Sequence, residues 1–126
     1  SILDRHAHKL LQELPRVAQL SARVRELVAA ELKNGSFTAE QIAQQLHVSG
    51  RTLHRRLKEE NAIYYELVDD VRRGLTDRYL ADPDMSLEQI ALLVGYSEAS
   101  AFRRAFRRWH GVSPARYRKA KSATAR

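Results

Sequence analysis

Residues 98–110 carry arginine and other polar side chains at helical spacing, where they could bind a polyanion. Phe102, Phe106 and Trp109 stand at i, i+4 and i+7, so they share one side of a helix. The opposite side carries Ser100, Arg103, Arg104 and Arg107. Arginine can donate two hydrogen bonds at once to O6 and N7 of guanine, and it also pairs with phosphate. The spacing therefore predicts a helix with an apolar spine and a cationic face suited to nucleic acid.

Residues 49–60 repeat this arrangement earlier in the chain. Leu53 and Leu57 form the apolar spine and superpose on Phe102 and Phe106. The same superposition places four polar residues on the outward face, namely Arg51, His54, Arg55 and Lys58. We therefore expect two cationic helices of the same design.

A shorter predicted helix precedes each cationic helix. Thr38 with Gln41, and Ser86 with Gln89, form capping boxes that mark where the shorter helices begin. Gly95 ends the second of them, because glycine adopts the left-handed conformation without a Cβ penalty. Two short helices joined by a tight turn are typical of the helix-turn-helix motif, whose second helix enters a DNA major groove. The chain is predicted to carry this motif twice.

A long amphipathic helix is predicted between the two motifs. It stops before Asp82-Pro83-Asp84, and its apolar positions are Tyr64, Leu67, Val68, Val71, Leu75 and Tyr79 or Leu80. If this helix is rigid and holds the two cationic helices about one DNA turn apart, roughly 34 Å, both can enter successive major grooves.

The remaining segments complete an all-α prediction of about seven helices plus an N-terminal extension. Apolar periodicity predicts helices over residues 3–14, 16–33 and 114–121. The chain then divides into an N-terminal helical extension (1–15), a first helix-turn-helix subdomain (16–62), a linker helix (63–82), a second subdomain (83–121) and a basic tail (122–126). Because its only methionine is Met85, we expect the chain to be part of a longer protein.

The composition favours a polyanionic partner. The 126 residues include 22 Lys and Arg against 15 Asp and Glu, a formal charge of +7, which indicates nucleic acid first and an acidic membrane surface second. Cysteine is absent, so Cys-based zinc sites are excluded. No apolar run approaches the roughly 18 residues of a membrane span, and no signal peptide opens the chain. We expect a cytoplasmic protein with no membrane partner.

Residues that could support catalysis or metal binding are unsuitably spaced. Asp69 and Asp70 are adjacent and diverge on a helix, and His6 and His8, two residues apart, also point away from each other. No serine lies in a nucleophile elbow and no Gly-rich phosphate loop follows a strand. We therefore expect no enzymatic activity, no cofactor and no metal site.

The C-terminal third of the chain contains a dispersed set of residues, which are Ile90-Ala91, Gly95-Tyr96, Phe102, Phe106, Gly111, Ser113-Pro114 and Tyr117-Arg118. This set resembles the C-terminal signature of the AraC/XylS family of bacterial transcription regulators. The first motif matches the family pattern at Ser49, Leu53, Arg55 and Leu57, and the linker matches it at Val71-Arg72-Arg73 and Tyr79-Leu80.

The resemblance implies seven helices, with two helix-turn-helix units joined by a long helix, and double-stranded promoter DNA as the partner. It implies contact with RNA polymerase in members that activate, a sensor domain missing from the N-terminal side, and homodimerisation, if any, through that domain.

Two positions depart from the pattern. Asn61 replaces a glycine after the first cationic helix, and we expect it to keep the left-handed turn. His47 stands where the turn often has glycine.

Each polar residue of the two faces has an expected role. Arg55 and Arg104 are expected to read bases. Ser49 joins the DNA-binding set, and contacts to bases or phosphates are expected for Arg51, His54 and Arg103. Phosphate contacts that set the register are expected for Lys58, Ser100 and Arg107. A solvated cationic rim is expected for Arg108, Arg116, Arg118 and Lys119.

One alternative is a basic helical module that binds protein or RNA, with Leu10, Leu11 and Leu14 as a docking stripe. The aromatic spine of residues 98–110 could also stack on unpaired bases, but its helical spacing favours packing in the core. Duplex DNA is favoured if Arg55 and Arg104 point the same way about 34 Å apart, and the alternative if they diverge.

Overall fold

The computed structural model describes residues 19–35 and 37–124. These residues form seven helices and no strand: α1 (Gln19–Leu32), α2 (Ala39–Gln45), α3 (Gly50–Glu59), α4 (Tyr64–Leu80), α5 (Leu87–Leu93), α6 (Ala99–His110) and α7 (Pro114–Thr124). The all-α prediction with two helix-turn-helix units and a long connecting helix is confirmed. The predicted extension over residues 1–15, with its histidines and leucine stripe, lies outside the described residues.

The described residues divide into two compact units. The first contains residues 19–28 and 38–68, and the second contains residues 29–35, 37 and 69–124. The division falls within α1 and within α4, so each of these helices contributes residues to both units. Each unit has a helix-turn-helix pair of its own, α2 with α3 and α5 with α6.

The core of the first unit forms where apolar faces of α1, α2 and α3 meet. Val24, Ile42, Leu53 and Leu57 are all fully buried. The capping box at the start of α2 is present, with the Thr38 N–H donating to Gln41 Oε1 at 2.8 Å and the Gln41 N–H donating to Thr38 Oγ1 at 3.2 Å. These two bonds satisfy backbone donors that the first turn of a helix otherwise leaves unpaired.

The core of the second unit is built around two aromatic rings of α6. Phe102 and Phe106 are fully buried, together with Ile90 and Val94 of the preceding helix and turn. Trp109 and Tyr117 are partly buried against the same cluster. The predicted aromatic spine therefore packs in the core, as its spacing indicated.

The linker helix α4 runs from Tyr64 to Leu80, the first and last of the apolar positions on which its prediction rested. Thr76 is its one fully buried polar residue among those described, and its hydroxyl donates to the Arg72 carbonyl at 2.7 Å, which satisfies the buried group within the helix. Gly74 is exposed and has no neighbouring atom within 4 Å of an added Cβ. The helix therefore tolerates this glycine without any packing requirement for it.

Arg118 corrects the sequence-based prediction of a solvated rim. Its guanidinium donates to the carbonyl of Leu80, the last residue of α4, at 3.4 Å, and to two carbonyls of the following loop, those of Asp82 at 3.2 Å and Met85 at 2.7 Å. Carbonyls at a helix C-terminus lack partners within the helix, and a cation there also complements the helix dipole. Arg118 therefore anchors the loop between α4 and α5.

The last helix extends beyond its predicted end. It runs to Thr124 instead of residue 121, so residues 122–124 are helical where a basic tail was predicted. Four of the six residues from 119 to 124 are lysine or alanine, which both favour helix. At its start, the hydroxyl of Ser113 accepts from the Arg116 N–H at 3.2 Å, which caps the first turn of the helix.

The start of α4 lacks the cap that α7 has, and this difference can be measured. Ile63 precedes α4 as Ser113 precedes α7, its carbonyl accepting from the Leu67 N–H at 3.0 Å, but its side chain cannot cap and is 56% exposed. Ile63→Ser is therefore expected to have a free energy of unfolding about 1 kcal/mol higher than Ile63→Ala, as measured by urea denaturation. Equal stability of the two variants would mean that the serine forms no cap there.

Candidate nucleic-acid interface

The turn of the first helix-turn-helix unit keeps its geometry without glycine. His47 adopts a left-handed φ of 60°, and the next residue, Val48, donates its N–H to the Ala43 carbonyl at 3.1 Å. Asn61, after α3, also has a left-handed φ of 59°, so the expectation that asparagine preserves this turn is confirmed. Both departures from the family pattern are therefore accommodated by the backbone.

The turn of the second unit is held by contacts that glycine permits. Gly95 has φ 91°, and Tyr96 donates its N–H to the Ala91 carbonyl at 2.9 Å, the counterpart of the bond in the first unit. A Cβ at Gly95 would lie 2.9 Å from Cδ2 of Leu32. Both the backbone conformation and the close approach of α1 therefore require glycine here.

Arg72 supports this second turn from α4. Its Nε donates to the Val94 carbonyl at 3.2 Å, and its guanidinium carbon lies 4.8 Å from the centre of the Tyr96 ring. Burial raises the pKa of Tyr96 above its ordinary value of 10.0. In the sequence, Arg72 stands out only as part of a matching pattern, because a contact between separate helices leaves no local signal.

The two cationic helices begin with different caps. Ser49 caps α3, its hydroxyl accepting from the Thr52 N–H at 3.1 Å. Glu98 precedes α6 and makes no side-chain cap, although its carboxylate accepts from the Ser100 hydroxyl at 3.3 Å. The turn before α6, residues 94–98, is one residue longer than the turn before α3, residues 46–49. Ser49 thus has a defined structural role, while a DNA contact from it remains a prediction.

The outward face of α3 carries the predicted polar set. With Leu53 and Leu57 buried behind it, the exposed residues are Arg51, His54, Arg55 and Lys58. The His54 ring lies 5.7 Å from the Tyr64 ring and 6.0 Å from the Tyr65 ring, so it borders the start of α4. The structure therefore brings all four candidates to one solvent-facing surface of the first unit.

The outward face of α6 likewise carries its predicted set. Phe102 and Phe106 are buried behind it, and the exposed residues are Ser100, Arg103, Arg104 and Arg107. Arg103 Nη2 lies 3.4 Å from Oε1 of Glu88, the second residue of α5. No local pattern indicates this pair, because the two residues are fifteen positions apart and meet only through the fold.

Two acidic residues of α4 lie beside the C-terminal part of α6. Oδ2 of Asp69 lies 3.3 Å from the Arg108 guanidinium and accepts from the Trp109 indole N–H at 3.4 Å. Arg108 is therefore paired, although its side chain remains 63% exposed. Farther along α4, Asp77 Oδ1 lies 3.4 Å from Nε2 of His110. Two carboxylates of α4, about two turns apart, thus face α6.

Within residues 19–35 and 37–124, no group of three or more His, Asp or Glu side chains could hold a metal ion. Across the same part of the chain, every helix is too short or too polar to cross a membrane.

Comparison with known proteins places these features in context. Residues 42–120 match the family described as "Helix-turn-helix domain". The chain is 48% identical over 107 residues to the HTH-type transcriptional regulator VirS of Mycobacterium tuberculosis, covering 85% of this chain and 32% of that protein. It is 42% identical over 118 residues to the ornithine utilization regulator of Pseudomonas aeruginosa, covering 93% and 34%. The chain thus spans about a third of these relatives.

A solved structure with a related fold includes DNA. The DNA-binding domain of AdpA, described as a global transcriptional factor in complex with a target DNA, superposes with a TM-score of 0.70 at 31% identity. The superposition covers 82% of this chain and 94% of that domain. The similarity therefore extends over almost the whole of a domain crystallised with DNA.

Proposed function

The chain belongs to the AraC-type helix-turn-helix family, and on that basis we propose that it binds double-stranded DNA as part of a bacterial transcription regulator. The observation that carries the proposal is the repeated design of the two units. In each, a buried spine fixes one helix so that its cationic side faces solvent. A helix presented in this way fits a DNA major groove.

We propose that α3 and α6 act as the two recognition helices and enter successive major grooves on one side of the duplex. Major grooves on one side recur about every 34 Å, one helical turn. The bound site would then contain two short elements about one turn apart. The formal charge of +7 supports tight, salt-dependent attraction to phosphate.

The side chains divide by the contacts that their chemistry allows. We propose base contacts for Arg55 and Arg104, because a guanidinium can donate a fork of hydrogen bonds to guanine. Contacts to bases or phosphates are proposed for Arg51, His54 and Arg103. Phosphate contacts are proposed for Ser49, Lys58, Ser100 and Arg107, which would fix the register of each helix without reading sequence.

For the longer protein we propose a sensor domain on the N-terminal side and promoter DNA as the target. We also propose that it contacts RNA polymerase, and that the sensor domain forms the interface if the protein is a homodimer. We further propose a cytoplasmic protein with no enzymatic activity. The support is the family together with two relatives, one named as an HTH-type transcriptional regulator and one as an ornithine utilization regulator. Both relatives are about three times as long as this chain.

The proposed division of roles predicts different losses for two arginines. A selected duplex is one that the wild-type chain prefers when it is offered a random pool of sequences. Arg55→Ala is expected to weaken binding to such a duplex by about 1–3 kcal/mol and to relax specificity at one base pair, because it removes a base contact. Arg107→Ala, the matched control, is expected to weaken all duplexes alike and to reduce the salt slope by about one phosphate. Fluorescence anisotropy on selected and random duplexes measures both. Equal losses on the two duplexes for Arg55→Ala would remove its base-reading role.

Binding to three classes of nucleic acid tests the proposed function itself. The chain is titrated into labelled random duplex DNA, single-stranded DNA and RNA at several salt concentrations. Preference for the duplex, with a salt slope that indicates several released counterions, is expected. No preference for the duplex would favour a module that binds RNA or protein and would contradict the proposal.

A further inference from the structure

Arg103 is already paired with a carboxylate in the free protein. Its guanidinium lies 3.4 Å from Glu88, whereas neither Arg104 nor Arg107 forms an ion pair with an acidic side chain in the described part of the chain. The Arg103 side chain is 50% exposed and that of Glu88 is 67% exposed. A negative charge therefore lies within the cationic face of α6, where an approaching duplex could reach it.

The first unit has a glutamate at the same place. Glu88 is the second residue of α5, and Glu40 is the second residue of α2. Glu40 Oε1 would lie 3.2 Å from a Cβ added to Gly50, the first residue of α3. In both units a carboxylate from the shorter helix thus lies against the N-terminal half of the cationic helix. The repetition argues against an incidental surface charge.

A carboxylate at this place affects correct and incorrect DNA sequences differently. On random DNA, arginines turn toward phosphates, and Glu88 would be left unpaired beside a like charge, which is costly. On a correct sequence, Arg103 can keep one donor on Glu88 and direct others to a base edge, because guanidinium has five N–H groups. The same charge therefore opposes random binding more than specific binding.

From this asymmetry we infer that Glu88 is a specificity-determining residue. It restrains Arg103 for contact with a base and penalises complexes in which Arg103 moves to the DNA backbone. Removing its charge should therefore change the ratio of the affinities for selected and random duplexes. It should change the stability of the fold little, since an exposed ion pair contributes little to stability. The inference rests on the proposed DNA-binding function.

Substitution of the charge tests the inference. Glu88→Gln is expected to raise affinity for random duplex about threefold to tenfold while changing affinity for the selected duplex less than about twofold. The specificity ratio then falls by about the same factor. Glu26→Gln makes the same charge change at an exposed residue of α1 and is expected to leave the ratio unchanged. Fluorescence anisotropy at two salt concentrations measures each value.

A double substitution shows whether Glu88 acts through Arg103. In an Arg103→Ala background, Glu88→Gln is expected to leave the specificity ratio unchanged, because the partner is gone. The inference would be overturned if Glu88→Gln lowered the specificity ratio in the Arg103→Ala background as well. It would also be overturned if Glu88→Gln raised affinity equally for both duplexes, or if Glu26→Gln lowered the ratio as much as Glu88→Gln does. These outcomes leave duplex binding by the wild type intact. A wild-type chain without preference for duplex DNA would overturn the proposed function, and the inference with it.

Discussion

Phe106→Ala is expected to lower the free energy of unfolding by about 3–5 kcal/mol, the range for removing a buried aromatic ring. Phe106 is fully buried, and its ring centre lies 6.1 Å from that of Phe102, 5.3 Å from that of Tyr117 and 4.5 Å from that of His110. The truncation leaves a cavity at the place where α6 and α7 meet. Urea denaturation followed by circular dichroism measures the loss.

The control for this cavity is Phe106→Leu, which keeps most of the apolar volume. It is expected to cost about 1–1.5 kcal/mol, in the range of volume-conserving changes. If Phe106→Ala cost no more than Phe106→Leu, the ring would not be a central element of the second core. Because the ring lies behind the cationic face of α6, the alanine variant is also expected to lose affinity for duplex DNA at temperatures where wild type remains bound.

Gly95→Ala is expected to destabilise the second unit by about 2–4 kcal/mol, since two separate costs add. The φ of 91° is unfavourable for any residue with a Cβ, and the added carbon would lie 2.9 Å from Leu32. Relief of this contact would shift the turn that sets the direction of α6. We therefore expect sequence-specific binding to fall more than binding to random duplex, as measured by anisotropy.

Gly111→Ala separates the two costs. Gly111 also has a left-handed φ, 76°, but no atom lies within 4 Å of an added Cβ. This variant is expected to lose only the conformational contribution, about 1–2 kcal/mol. Similar losses for Gly95→Ala and Gly111→Ala would show that contact with Leu32 does not constrain the turn.

Local sequence signals predicted the elements well. Thr38 and Ser86 each begin a capping box, so the starts of α2 and α5 were predicted correctly. The apolar periodicity from Tyr64 to Leu80 gave the limits of α4. These signals are reliable because each depends on residues within about one or two helical turns, whose geometry the helix itself determines.

Contacts between elements were not predictable in the same way. Arg118 was expected in solvent but binds three carbonyls at the end of α4 and in the following loop. Glu88 and Asp69 pair with arginines of α6 that are far away in sequence. A charged residue on a helix has the same local pattern whether it faces water or a partner, so only the fold distinguishes the two cases. The candidate surfaces were therefore predictable, but the pairs within and beside them were not.

Selection of preferred duplexes from a random pool is the most direct test of two-groove binding. The wild-type chain is expected to select a site with two elements whose centres are separated by about one helical turn, 10–10.5 base pairs. Arg55→Ala and Arg104→Ala are each expected to relax a different one of these elements. Selection of a single short element, or loss of the same element in both variants, would contradict the use of α3 and α6 as two recognition helices.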